Sequence, residues 1–426
     1  MWYRIKAWLT DPDRNLWIMP TIGVIFALVF SLVAAIGNRY LAEDAVPSIA
    51  AETLSSLLDI IASSMLTVTT FSLSIMVTAL GSTSDNATPR ARVFVVADDS
   101  TRLTIASFVS AFIYAIIARV ALGMQYYGTQ GRFILFVSTV LVLLYLIFIL
   151  IRWMQRLSQL GSVGNVMEKI ESATKTSLAQ YLDQPYLGAT HASPNDFADD
   201  ILPKRLVSIK KTGDLSQFDM QGLQEIAIEY DCHIHLLQRP GDFVNNGMPM
   251  FALYREQAFD DEHINAIEDK LMSSVIIDSS RSYAQDPRLG FSVLAETGQR
   301  ALSAAVNDPA TAIDVIKVVT RLLLDTKPEA SDKQDTYDRL SIVPLPINDF
   351  IEPVFLPISR DGINNVDVGI HLLSSLGMIA THSQELNLQS LARYHAQHIY
   401  ERYQHALDHQ SDLLRIQRTY QRYFTQ

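Results

Sequence analysis

The feature that most constrains this chain is the stretch Leu54–Leu80, which is long enough to cross a membrane yet rich in hydroxyl groups. About 20 helical residues at ~1.5 Å each match a bilayer core of ~30 Å. At about 100° per residue, one arc of about 100° collects the polar positions. We call this arc the hydroxyl face; its members are Ser56, Asp59, Ser63, Thr67, Thr70, Ser74, Thr78 and Gly81. The opposite arc is mainly apolar, so the stretch predicts a transmembrane helix with two chemically different sides.

Three further apolar runs accompany it, which predicts four transmembrane helices within residues 1–160, at about 16–36, 54–80, 103–121 and 133–151. The first run exceeds the ~7–15 residues of a signal-peptide core, so we expect a retained helix. Four spans place both termini on one side. Because Lys and Arg resist translocation, the side that collects most of them is predicted to be cytoplasmic. Its basic residues are Arg4, Lys6, Arg14, Arg90, Arg92, Arg102, Arg152 and Arg156.

The remainder, 161–426, differs sharply in charge. Of the 34 Lys and Arg and 45 Asp and Glu, 11 and 9 lie in residues 1–160, which leaves 23 basic and 36 acidic residues here. This acidic balance disfavours nucleic acid as a partner. The fold class predicted is therefore an α-helical integral membrane protein with four transmembrane helices and a cytosolic α+β domain.

The single cysteine, Cys232, excludes an internal disulfide and a multi-Cys metal site, and no cofactor is predicted.

Within the cytosolic domain, alternating patterns at 205–210 and 232–237 flank a helical pattern near 220–230, and turns are expected at Pro240-Gly241 and Asn246-Gly247. These signals predict a small β-rich module at about 203–256. The rest is predicted to be mainly helical, with a β-like insert near 339–357. Two last helices are expected at about 366–382 and 386–423.

An Asp-Pro pair precedes two of the predicted helices, at Asp286-Pro287 and at Asp308-Pro309. Aspartate accepts free N–H groups of a first helical turn, and proline at the first helical position has no N–H to leave unpaired. Both pairs predict helix N-termini. Asn307 and Asp308 together leave two interpretations open, a structural cap or a ligand site at a helix N-terminus.

Four segments carry a resemblance to a known family: SSMLTVTTFSLSIMVTALGSTSDNATPR, RPGDFVNNGMP, QDPRLGF and RALSAAVNDPATA. The chain resembles the bacterial predicted membrane proteins grouped as domain of unknown function 2254, and the resemblance spans nearly the whole chain. It implies a bacterial inner-membrane protein with an N-terminal membrane region and a cytosolic C-terminal domain. It implies no activity.

The hydroxyl face has two interpretations. Ser and Thr in spans can bond their own i−4 carbonyls and let helices pack closely, or they can line a water-filled path. Asp59 would suit a cation-attracting mouth, or would simply mark the helix end in the headgroup zone.

Four histidines, His395, His398, His405 and His409, would share one face of the predicted last helix. That face is expected to be a solvent or subunit surface rather than a metal site.

The favoured functional prediction is a homo-oligomeric ion channel or pore, with second spans around an axis and monovalent or divalent cations as the permeating ions. The alternative is a non-transporting scaffold or sensor whose cytosolic domain binds a protein or small ligand. The sequence lacks P-loop, GxGxxG, HExxH and nucleophile-elbow signatures, so no enzyme is predicted. A membrane enzyme would have to use Asp98, Asp99 and Arg90.

Overall fold

The computed structural model describes residues 47–86, 88–91, 99–124, 128–157, 162–191, 205–255, 261–328 and 336–425, together with residues 21, 24, 25 and 29. Three described helices are long and apolar enough to cross a membrane: α1 (Ala51–Asn86), α2 (Asp99–Gly123) and α3 (Thr129–Leu157). They contain the predicted spans 54–80, 103–121 and 133–151. The remaining predicted span, 16–36, lies outside the continuously described residues, so the structure accounts for three spans and not four.

The three helices bury one side of α1. Leu58, Ile61 and Met65 of α1 lie in one apolar core with Phe108 and Ala115 of α2. Alanines along α2 allow close approach, as small residues do between membrane helices. The contact of α2 with α3 is partly polar, and its hydroxyl pairs are Tyr114–Ser138 at 2.7 Å, Tyr114–Thr139 at 3.2 Å and Ser107–Tyr145 at 2.8 Å. Interhelical hydroxyl bonds of this kind contribute modestly, about 1 kcal/mol each.

The described residues form two compact units that separate between Val166 and Met167. The helix at this point is α4 (Val163–Asp183). The strands of the second unit are β1 (Ala189–His191), β2 (Arg205–Ser208), β3 (Gly213–Phe218), β4 (His233–Leu236), β5 (Phe243–Val244), β6 (Pro249–Tyr254), β7 (Val275–Asp278) and β8 (Tyr337–Ile342). Its further helices are α5 (Met220–Glu229), α6 (Asp261–Ser273), α7 (Arg288–Leu302), α8 (Pro309–Asp325), α9 (Glu352–Asp361), α10 (Val366–His382), α11 (Leu386–Ala406) and α12 (Gln410–Phe424).

The strands form two sheets, one in the order β1-β8-β4-β6-β2 and one in the order β5-β3-β7. β8 runs parallel to both of its neighbours, whereas the other pairs are antiparallel. The β-rich region therefore draws strands from outside 203–256. The alternating patterns at 205–210 and 232–237 correspond to β2 and β4. The β-like insert near 339–357 overlaps β8 and the start of α9, with a 3₁₀ turn (Ile347–Phe350) between them.

The helical remainder packs around α10, whose range coincides with the predicted 366–382. Glycines on α10 admit aromatic rings, because Gly369 lies against Tyr403 of α11 and Gly377 lies against Tyr423 of α12. The single last helix expected at 386–423 is instead two helices, interrupted at 407–409 by extended backbone. The chain reverses there, which lets α12 return along α10.

Candidate functional site

The hydroxyl face lies on the side of α1 that is not buried against α2 and α3. Its members Ser56, Ser63, Thr67, Thr70, Ser74 and Thr78 are all exposed, and Asp59 is half-buried. Leu58, Ile61 and Met65 on the other side are buried in the helix core. Hydroxyl groups gain nothing from contact with hydrocarbon, so this face favours water or a protein partner.

Most hydroxyl groups on this face donate to the carbonyl four residues earlier in their own helix. The bonds are Ser56 to Glu52 O at 2.9 Å, Ser63 to Asp59 O at 2.8 Å, Thr67 to Ser63 O at 2.9 Å, Thr70 to Leu66 O at 2.9 Å and Thr78 to Ser74 O at 3.0 Å. A hydroxyl whose proton is used in this way still has oxygen lone pairs to offer. The exposed stripe is therefore a row of hydrogen-bond acceptors.

Asp59 forms an ion pair with Arg119 of α2. Both side chains remain partly exposed, 40% for Asp59 and 53% for Arg119. The sequence left Asp59 as either a cation-attracting group or a mark of the helix end, and the nearby guanidinium of Arg119 offsets its negative charge. The antiparallel arrangement of consecutive spans could have predicted this ion pair, because it brings Asp59 near the start of α1 close to Arg119 near the end of α2.

Asp286 is the buried centre of a charge network, which we call the arginine–aspartate network (Arg281, Arg288, Asp242, Asp286 and Asp349). The Asp286 side chain is 0% exposed. Its Oδ2 accepts from Arg281 Nε at 2.8 Å and Nη2 at 2.6 Å, and its Oδ1 accepts from Arg288 Nε at 3.2 Å and the Arg288 backbone N–H at 3.1 Å. Pro287 occupies the N-cap position of α7, so the helix begins one residue later than the Asp-Pro pattern predicts.

Arg288 extends the network to the turn that precedes β5. Its Nη2 donates to Pro240 O at 2.8 Å and to Asp242 Oδ1 at 2.9 Å, and its Nη1 donates to Asp349 Oδ2 at 3.2 Å. Burial by itself would lower the pKa of Arg288, but Asp286 and Asp242 raise it on balance. The network thus joins the RPGD and QDPR segments, which sequence reasoning treated only as a turn and a helix cap.

The second Asp-Pro pair shapes a tight connection between α7 and α8. Asp308 is the N-cap of α8, and its carboxylate accepts from the Thr311 backbone N–H at 3.2 Å and the Thr311 hydroxyl at 2.6 Å. These bonds to Thr311 lower the pKa of Asp308. Asn307 has φ +49°, in the left-handed region, and Pro309 begins the helix. These contacts are those of a helix cap.

The four histidines of the last predicted helix do not share one face. His395 is buried and its Nε2 lies 2.7 Å from Asn348 Oδ1, whereas His409 follows the break and bonds Ser411 at 2.7 Å. His398 lies beside Glu401, at 3.9 Å. Among the described residues, no three His, Cys, Asp or Glu side chains are grouped to hold a metal ion. Of the residues that a membrane enzyme would require, Arg90 is exposed in a 3₁₀ turn, Asp99 is the first residue of α2, and Asp98 lies outside the described residues.

A family model described as "Predicted membrane protein (DUF2254)" matches residues 13–378, which is well over half of the chain. The match covers α1 to α9, most of α10 and the whole arginine–aspartate network. Neither the curated proteins nor the solved structures contain a match.

Proposed function

The chain belongs to the DUF2254 family of predicted membrane proteins, and we propose that it forms a homo-oligomeric ion-conducting pore lined by the hydroxyl face of α1. The observation that carries the proposal is that this face is exposed while Leu58, Ile61 and Met65 on the other side of the same helix are buried. Copies of α1 arranged around an axis would turn the exposed acceptors inward, where oxygen atoms replace part of an ion's hydration.

The acceptor character of the face supports cations as the permeating ions. Hydroxyl oxygens whose protons point to the helix backbone present negative partial charge to the lumen. Because the Asp59 carboxylate is paired with Arg119, we expect only weak preference among monovalent and divalent cations. The proposal includes a location in the bacterial inner membrane with both termini in the cytoplasm, as the distribution of Arg and Lys favours.

A second candidate is a non-transporting scaffold or sensor, in which the hydroxyl face is a dry contact between copies of α1. The i−4 bonds of Ser63, Thr67 and Thr70 favour it, because such bonds make hydroxyls compatible with close helix packing. In that case the acidic cytosolic domain would carry the recognition of a protein or small ligand. The two candidates differ in one physical property, which is whether water reaches the face.

Cysteine accessibility tests that property directly, since the chain has one native cysteine, Cys232, and it is buried. In a Cys232→Ala background, single cysteines replace Thr67, Thr70 or Ser74, and Leu73 as a matched control. Leu73 is an exposed apolar residue of the same helix that lies outside the hydroxyl face. The oligomer in lipid vesicles is then treated with a membrane-impermeant, water-soluble thiol reagent.

A pore predicts labelling at 67, 70 and 74 but not at 73. Conductance in planar bilayers should accompany this labelling and should fall when Thr70→Leu narrows and dries the path, with oligomer size unchanged. Protection of all four positions in a correctly assembled oligomer that carries no current would favour the scaffold over the pore.

A further inference from the structure

Two arginines lie at one depth, where α2 ends and α3 begins. Two hydroxyl pairs set the register of these antiparallel helices, namely Ser107–Tyr145 and Tyr114–Ser138. Seven residues forward on α2 thus match seven residues backward on α3. Five residues further in the same register, Arg119 of α2 is level with Phe133 of α3, the neighbour of Arg132. The two guanidinium groups therefore belong to the same end of the helix pair.

The guanidinium group of Arg132 has no protein partner among the described residues. Its Nε is buried without a hydrogen bond, whereas Nη1 and Nη2 are unbonded but not buried. The side chain is therefore covered by protein as far as Nε, and its two terminal nitrogens reach the surface. A guanidinium presents such nitrogens as a planar fork that fits two oxygens of one phosphate.

The charge at this depth is positive. Arg119 pairs with Asp59 through Nη1 and stays 53% exposed, so it keeps further N–H donors at the surface. The charged groups of the described residues at this depth are thus two guanidinium groups and one carboxylate. Glu52 lies seven residues before Asp59 on α1, which is ~10 Å further along the helix axis. One positive charge is left without a counter-ion in this part of the described chain.

The surface beside the arginines suits hydrocarbon. Val137 and Leu141 of α3 and Ile116 of α2 are exposed, and they lie from the arginines towards the middle of the helices. Both helices are long and apolar enough to cross a membrane. A cationic end next to an apolar flank matches a phospholipid, whose phosphate lies at headgroup level and whose acyl chains lie in the hydrocarbon core.

We propose that Arg119 and Arg132 bind the phosphate of an anionic phospholipid, whose acyl chains contact the apolar flank of α2 and α3. The Arg132 fork takes two phosphate oxygens, and Arg119 adds an N–H donor while it keeps its pair with Asp59. The unmatched positive charge selects a headgroup of net negative charge over a zwitterionic one, whose own cation is repelled. This site does not depend on whether the hydroxyl face of α1 conducts ions.

The test uses the full-length protein in detergent, mixed with phosphatidylglycerol and phosphatidylcholine that carry the same acyl chains. Native mass spectrometry counts the lipids that each chain retains. We expect wild type to retain phosphatidylglycerol at least about 5-fold better than phosphatidylcholine, and Arg132→Gln to abolish this preference. Equal retention of the two lipids by wild type would overturn the proposal without any variant, so a poorly folded variant cannot hide the answer.

Arg152→Gln is the matched control, because it removes an exposed guanidinium from the other end of α3. It changes the net charge by the same amount, so a general attraction of the protein for anionic lipid would fall equally in both variants. We expect Arg152→Gln to keep the preference, and an equal loss in the two variants would overturn the site. Inorganic phosphate at the same concentration should not displace the lipid, since it lacks acyl chains. Its displacement of the lipid would identify free phosphate as the ligand and would overturn the lipid proposal.

Discussion

Replacing Asp286 by Asn is the sharpest test of the arginine–aspartate network. Asp286 is fully buried and accepts four hydrogen bonds from Arg281 and Arg288. Asn keeps the shape of the side chain but removes the negative charge, which leaves two guanidinium groups without their central counter-ion. Breaking one partner of a buried ion pair costs about 3–5 kcal/mol. We expect the sheet-containing unit to lose stability by that amount.

Reaction of the native cysteine with a thiol reagent measures how often the sheet-containing unit opens. Cys232 is 4% exposed and lies in the core of the sheet-containing unit, so its thiol reacts with a disulfide reagent only when this core opens. When opening and closing are fast, the labelling rate follows the population of the open form. A tenfold change corresponds to about 1.4 kcal/mol, so Asp286→Asn should accelerate labelling by about 100- to 4,000-fold.

Asp349→Asn is the matched control, because Asp349 contacts the same network through Arg288 at 3.2 Å but is 34% exposed. Partly exposed pairs contribute up to about 1 kcal/mol, so labelling should accelerate by less than about 6-fold. If the two variants accelerated labelling equally, or if Asp286→Asn did so by less than 10-fold, our account of a buried, mutually dependent network would be refuted.

Three further predictions concern backbone and burial. Gly241→Ala should destabilise the same unit by at least about 1–2 kcal/mol in the labelling assay, because Gly241 has φ +95° and a Cβ there would overlap the Asp286 carboxylate. Asn307→Val should lower the melting temperature in calorimetry whereas Asn307→Gly should not, since φ +49° costs a β-branched residue about 1–2 kcal/mol. Burial raises the pKa of Cys232 from 9.0 to about 11. The contribution of the buried thiol to the free energy of unfolding is therefore complete below pH 9 and is lost as pH rises towards 11. The free energy of unfolding of wild type, measured by urea denaturation, should therefore fall over that window relative to that of Cys232→Ala, by up to about 1.4 kcal/mol per pH unit.

Sequence alone could predict what depends on local chemistry. The hydrophobic length of 54–80, 103–121 and 133–151 predicts helices because the membrane dictates length and composition. Asp308-Pro309 predicts the start of α8 because the cap bonds lie within four residues. The family resemblance read from the four quoted segments is confirmed by the family match.

Sequence could not predict what depends on distant partners. Asp286 looked like a second helix cap, and its role changes because Arg281, Arg288 and the 239–242 turn meet only in the folded chain. The break at 407–409 was missed because no Pro or Gly marks it, and the contact of α12 with α10 decides it. β3 was missed because GDLSQF alternates weakly, and its pairing with β5 and β7 stabilises it.

Because β8 lies between β1 and β4, the five-stranded sheet cannot be completed during synthesis until β8 has been translated. β8 begins roughly 80 residues after β6 ends, so at translation rates of ~5–20 residues per second a ribosome needs about 4–16 s to deliver it. During that interval β1 lacks its strand partner and one side of β4 is an open sheet edge, the kind of surface that pairs with other chains. Nascent chains of this protein should therefore depend on chaperone protection until residue 342 has left the ribosome, and a stop codon before 337 should yield aggregates rather than a smaller folded module.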